Sequence, residues 1–224
     1  MKKINLFILA LFCLPILLLS SCDRGDDLNP ENPIQEPAFD VLKKHMMENE
    51  LDLTNILSGP GGEIKFVSAA PAAADLSSFL NKYSILDIRQ PEAFNGGHIE
   101  GAKNISFANI LAEAEMASKQ ILVVCYTGQT ACYATSILRM AGYSNAQALK
   151  WGMSGWNSAT SGSWYSNTGE EAKNHTNWAA NSAPSDLTFE DPLLEIYSTD
   201  GADLLRQRLE AVVANGFKTA KGTD

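Results

Sequence analysis

One cysteine stands where a strand should hand over to a helix. Residues 121–124, namely Ile121, Leu122, Val123 and Val124, form an unbroken apolar run, the pattern of a central strand covered on both faces. Cys125 follows at once, then Tyr126, Thr127, Gly128 and Gln129. A helix is expected over residues 130–140, with Gly142 closing it. A thiol at such a turn faces the backbone N–H groups of the loop and the positive end of the helix dipole. Both favour thiolate over thiol, and the thiolate is the nucleophile. Gly128 can take a positive φ or let the backbone come close to a bound anion. The spacing therefore describes an anion cradle with a nucleophile at its base. The position equally suits a buried core cysteine, a common fate for this residue type, and these residues alone leave both readings open.

Strands and helices alternate around this turn. Short strands are expected at 64–67, 83–88, 104–106 and 146–149, and helices at 71–82, with Ser68 as its cap, and at 109–118. Such alternation implies an α/β fold with a parallel central sheet flanked by helices. Upstream, Val41, Leu42, Met46, Leu51, Leu53, Ile56 and Leu57 predict one amphipathic helix over 39–57, ended by Ser58-Gly59-Pro60-Gly61-Gly62. Downstream, Leu204, Leu205, Leu209, Val212 and Val213 predict a helix over 200–216 that Gly216 stops. Residues 157–185 are rich in Ser, Asn, Thr and Gly without a period. Their Trp164, Tyr165 and Trp178 read as glue that holds an extension on the domain, with a ligand contact as the alternative.

The first residues belong to a different kind of element. Lys2 and Lys3 precede an apolar run over residues 4–19, and Ser20 and Ser21 follow. A charged start, a short apolar stretch and small residues are the pattern of a secretory signal peptide. The run is short for a membrane-spanning helix, and a retained N-terminal anchor is the alternative. Leu19-Ser20-Ser21-Cys22 resembles the bacterial lipobox. That resemblance implies cleavage before Cys22 and acylation of Cys22, and several acyl chains anchor a protein stably where one is marginal. The expected location is therefore an exported, membrane-anchored lipoprotein, facing the periplasm or the cell surface. Acids and Pro30, Pro33 and Pro37 then make an extended tether.

Charge and cysteine use narrow the function. The chain has 17 basic and 26 acidic side chains, a net charge of −9. Loss of residues 1–21 removes two lysines and no acid, leaving 15 basic side chains and a net charge of −11. That argues against a nucleic-acid partner, which requires a basic stripe, and against electrostatic docking on anionic lipid. Cys13 leaves with the signal and Cys22 is acylated, so Cys125 and Cys132 remain. Two cysteines seven apart are no disulfide framework. Cys132 reads as a small buried residue, with a resolving thiol as the alternative.

The segment from Cys125 to Ala131 (Cys-Tyr-Thr-Gly-Gln-Thr-Ala) resembles the active-site loop of rhodanese domains. Other pieces fit in order: Asp87-Ile88-Arg89 with Pro91-Glu92-Ala93-Phe94, Gly97-His98-Ile99-Glu100-Gly101-Ala102-Lys103-Asn104-Ile105, Leu138 through Gly142-Tyr143, and Leu149-Lys150-Trp151-Gly152 with Trp156. The resemblance covers about residues 63–158. It implies a single rhodanese-like domain with helical N- and C-terminal extensions. The chain then divides into signal peptide 1–21, tether 22–38, N-terminal helix and linker 39–62, rhodanese domain 63–160, and extension 161–224.

The resemblance also implies sulfane-sulfur transfer. A small sulfur-containing substrate loads Cys125 as a persulfide, and a thiol, cyanide or protein thiol takes the sulfur. The backbone N–H groups and side chains of Tyr126, Thr127, Gly128, Gln129 and Thr130 bind substrate and stabilise the terminal charge. No metal or organic cofactor is required. Phosphatase relatives use a seven-residue loop ending in Arg, whereas residues 125–130 make six. Thr130 stands where many rhodaneses have Arg, which disfavours the thiosulfate dianion. Asp87 and Arg89 read as a structural ion pair or, functionally, as the groups that fix the loop. His98 reads as a structural turn rather than a general base. Trp151 replaces the first Gly of a usual Gly-Gly pair, either lining the substrate mouth or packing. The other function class is a non-catalytic sulfur- or partner-binding module of the same fold.

Overall fold

The run at 121–124 forms the middle of the sheet. In the computed structural model, which describes residues 36–170, 173, 175–176, 185–194 and 198–218, it lies in β4 (Gln120–Val124). Residues 1–21, expected to be a signal peptide, Cys22, the part of the expected tether up to residue 35 and Trp178 lie outside the described residues. β4 runs between β2 (Tyr83–Asp87) and β5 (Gln147–Leu149). The short strands β1 (Val67–Ser68) and β3 (Lys103–Asn104) complete the order β1-β5-β4-β2-β3. Every pairing is parallel. Alternate side chains of β4 point to opposite faces: Ile121 and Val123 join one apolar cluster, Leu122 and Val124 the other. All four are at most 2% exposed, which is why the run carries no polar residue.

Helices cover both faces, as parallel strands require. They include α3 (Leu76–Lys82), α4 (Pro91–Asn95), α5 (Ile110–Glu115) and α6 (Gln129–Met140). Ala131, Ala134, Ile137 and Leu138 of α6 are buried against the first cluster, with Ile110 and Ala114 of α5. Gly142, at φ 100°, ends α6: its N–H donates to the Arg139 carbonyl, and Tyr143 N–H to that of Leu138. Only a residue free of a Cβ takes that conformation without strain.

The expected helix over 39–57 is two helices, α1 (Ala38–Glu48) and α2 (Leu53–Ser58). The apolar period continues through the break, but the backbone does not. Glu50 turns left-handed (φ 55°) and Leu51 N–H reaches back to the Met46 carbonyl (2.8 Å). Asp52 then caps α2 by accepting from Asn55 N–H at 3.0 Å. Ser68 is no helix cap; it lies in β1 and pairs with Leu149 of β5. The helix expected from 71 is a 3-10 turn at Ala73–Asp75 followed by α3, and that expected from 109 is a 3-10 turn at Phe107–Asn109 followed by α5.

The C-terminal helix, α8 (Gly201–Asn215), pairs with α1. Asp200 caps it, accepting from the N–H groups of Ala202 and Asp203. Leu204, Leu205, Leu209 and Val213 join Leu42 in the same cluster as Val123 and Leu138. The helices meet at Gly201, where an added Cβ would lie 2.3 Å from the Cβ of His45.

Candidate active site around Cys125

The register of the sheet sets the site. Asp87 is aligned with Val124, and Ile88 N–H donates to the Val124 carbonyl at 2.9 Å. The ends of β2 and β4 therefore deliver Arg89 and Cys125 to the same edge, the carboxyl end of a parallel sheet, where such folds place ligands. Cys125 is 4% exposed. Gly128 caps α6 in the left-handed region (φ 95°), folding the loop back over the cysteine. The Sγ accepts from Gly128 N–H (3.1 Å) and Ala131 N–H (3.3 Å). Both donors come from the helix start, whose first N–H groups have no partner within the helix. A sulfur carrying negative charge is the complementary acceptor.

The sequence reading put the donors at residues 126–130. Ala131 lies one residue beyond, and the expected helix start at 130 was the signal for it. The 3-10 turn Gly152–Gly155 escaped that reading as a part of the site. Met153 N–H donates to the Cys125 carbonyl (2.8 Å) and Ser154 N–H to the Tyr126 carbonyl (3.0 Å). Gly152, at φ 55°, leaves no room for a side chain: an added Cβ would lie 2.4 Å from the Cys125 oxygen and 2.8 Å from Gly128 N. The Gly152–Gly155 segment thus clamps the loop by two backbone hydrogen bonds.

Asp87 and Arg89 are both buried and bonded to each other. Arg89 Nη2 donates to Asp87 Oδ2 at 2.7 Å, and Nε to both carboxylate oxygens at 3.0 and 3.1 Å. A further Nη2 bond to the Gly97 carbonyl (2.8 Å) ties the pair to the turn after α4. The guanidinium carbon lies 5.9 Å from the centroid of the Tyr126 ring, and the Tyr126 hydroxyl accepts from Gln90 N–H at 3.4 Å. The ion pair therefore braces the cysteine loop through Tyr126.

A cleft of about 730 Å³ lies over this loop. Tyr126, Thr127 and Gln129 line it, together with Arg89, Trp151 and Trp164. Thr130 is half-buried and is not among the lining residues. Cys132 is half-buried, and its N–H is taken by the Gly128 carbonyl. Burial pushes its thiol pKa up, and the neighbouring Cys125 adds to the rise. His98 stacks on Phe94 at 3.8 Å between ring centroids, with Nδ1 2.9 Å from the Phe94 carbonyl; it closes a turn.

Residues 72–159 match the rhodanese-like domain family. Thiosulfate sulfurtransferase GlpE of Shewanella oneidensis is 36% identical over 78 residues, covering 34% of this chain and 76% of that protein. GlpE of Pseudoalteromonas translucida is 35% identical over 80 residues, covering 34% and 75%. A solved structure, a rhodanese-related protein from Thermoplasma volcanium, is 25% identical over 40% of this chain and 90% of its own, with a TM-score of 0.34. On its relatives' identity and coverage, and on the matched segment that contains Cys125, the chain belongs to the rhodanese-like family.

Proposed function

We propose that the protein is a sulfurtransferase that carries sulfane sulfur as a persulfide on Cys125 and passes it to a thiol, cyanide or protein acceptor. The observation that carries this reading is the Cys125 Sγ facing the N–H groups of Gly128 and Ala131 at 3.1 and 3.3 Å. In the loading step the Cys125 thiolate attacks the outer sulfur of the donor. A new S–S bond forms and the donor's S–S bond breaks. Its electron pair leaves on sulfite when the donor is thiosulfate, or on a thiolate when the donor is a persulfide. In the second step the acceptor attacks the outer sulfur and Cys125 leaves as thiolate. Two displacements replace one difficult transfer, and the helix-start N–H groups meet the charge on the bound sulfur.

Residues 1–22 support export and anchoring through a lipid on Cys22, which labelled palmitate would test by marking the native protein and sparing Cys22→Ser. The catalytic test is an intact mass after exposure to thiosulfate, polysulfide or glutathione persulfide. Wild type gains one sulfur atom, and cyanide removes it; Cys125→Ser gains none. A protein that takes no sulfur from any of the three donors is instead a binding module of this fold.

A further inference from the structure

The cleft bordered by Tyr126, Thr127 and Gln129 of the cysteine loop is larger and more aromatic than a small inorganic donor needs. Its volume of about 730 Å³ falls in the range of roughly 300–1,000 Å³ that holds organic ligands. Among the described residues it also lacks available positive charge. Arg89 is the one charged residue among the described residues that line it, and its guanidinium is engaged by Asp87 and the Gly97 carbonyl. The chain as a whole is at −9. A dianion finds the helix-start N–H groups of Gly128 and Ala131 here, but no free side-chain cation among the described lining residues.

Three aromatic side chains supply what the charge does not. Trp151 sits in the left-handed region at φ 62°, an outlier for a bulky residue and a source of strain of the kind found at ligand sites. The strain does not serve burial, because Trp151 is 55% exposed. Gly152, which has no room for a Cβ, fixes the chain beside it and so holds Trp151 at the cleft. Trp164 faces it, with ring centroids 5.8 Å apart at 42°. Trp164 belongs to α7 (Gly162–Ser166), beyond residue 159 where the family match ends. Tyr126 adds a third exposed ring at 49%. The wall is therefore built jointly by the matched domain and by a segment that lies beyond the family match.

We infer that the Trp151–Trp164 wall is a subsite for the organic part of a thiol acceptor, an uncharged apolar or aromatic group next to the reacting cysteine, as in a cysteinyl peptide. The inference rests on the sulfurtransferase reading above. In the step it serves, the acceptor thiolate attacks the outer sulfur of the Cys125 persulfide. The persulfide S–S bond breaks, its electron pair stays on Cys125, and a new S–S bond forms on the acceptor; nothing is oxidised overall. Trp164 is the specificity-determining residue, because it contacts substrate side chain and not the reacting sulfur.

The test loads full-length protein with polysulfide and compares two neutral acceptors, N-acetylcysteinyl-phenylalaninamide and N-acetylcysteinyl-glycinamide. One aromatic contact predicts a kcat/KM preference of roughly three- to tenfold for the phenylalanine probe. Trp164→Ala brings the ratio close to one, Trp164→Phe retains most of it, and Tyr165→Ala, on the same helix, leaves it as in wild type. Equal use of both probes by wild type, or a preference that survives Trp164→Ala combined with Trp151→Gly, overturns the subsite. If wild type takes up no sulfur, the sulfurtransferase reading falls separately. Calorimetric titration with the S-methylated probes then decides the subsite: tighter binding of the phenylalanine probe that Trp164→Ala removes upholds it, and equal binding overturns it.

Discussion

The two ends of α6 use polar groups in opposite ways. At its start, backbone N–H groups of Gly128 and Ala131 are turned on the Cys125 sulfur, and the nearby Arg89 is held by a carboxylate. Near its other end, the buried Arg139 meets carbonyl oxygens from distant segments. It donates to Ala146 (2.8 Å), Ile56 (2.7 Å), Leu57 (3.4 Å), Ile64 (3.4 Å) and Lys65 (3.2 Å), and lies over the Phe66 ring. Burial lowers its pKa. One end leaves donors for an anionic sulfur; the other consumes its donors in fastening α2 and the approach to β1 onto the domain. A charge can be taken into a protein with a counter-ion or with enough oriented dipoles, and this helix has one case near each end.

The largest expected effect falls at the sulfur end. Asp87→Ala removes the carboxylate and leaves the Arg89 guanidinium buried without a counter-ion, which costs about 3–5 kcal/mol of unfolding free energy. Urea unfolding measures that loss, and the mass assay shows reduced sulfur loading, because Tyr126 loses its brace. Arg139→Leu comes next. It strips the donor from several carbonyls and lowers stability by about 2–4 kcal/mol, while Cys125 in the folded fraction still takes up sulfur. If Arg139→Leu abolished loading in folded protein, the two ends would not be separate in function. The smallest effect distinguishes two sulfurs at the same end. Cys132 has a raised pKa and is half-buried, so at a given pH a smaller share is thiolate than in a free cysteine. In Cys125→Ser, alkylation of Cys132 by iodoacetamide should be slower than that of free cysteine at pH 8, its pH profile displaced upward. A rate equal to free cysteine would mean that the burial does not protect it.

The two ends also differ in how far the sequence discloses them. Asp87 and Arg89 are two residues apart, and the apolar run, Cys125 and Gly128 are contiguous, so local pattern reveals pair, strand and cradle. The partners of Arg139 include Ile56 and Lys65, at separations of 83 and 74 residues, and no periodicity announces them. The partner of Trp164 was hidden for the same reason: a tryptophan in a polar stretch gives no sign of the ring it will face. The break at Glu50 was hidden differently. The apolar spacing through Leu51, Leu53 and Ile56 suits a continuous helix, and only backbone geometry and the Asp52 cap divide it. The sheet order was implied only as far as parallel strands covered by helices, since pairing partners are set by packing across the whole domain.

The sheet's outer strands have a consequence for how these molecules meet one another. β1 and β3 occupy the two edges and are each only two residues long. An edge that short offers few open N–H and C=O groups to a strand from a neighbour, so templated fibril growth finds little purchase there. Crowded copies of this domain therefore have little backbone edge through which to extend the sheet.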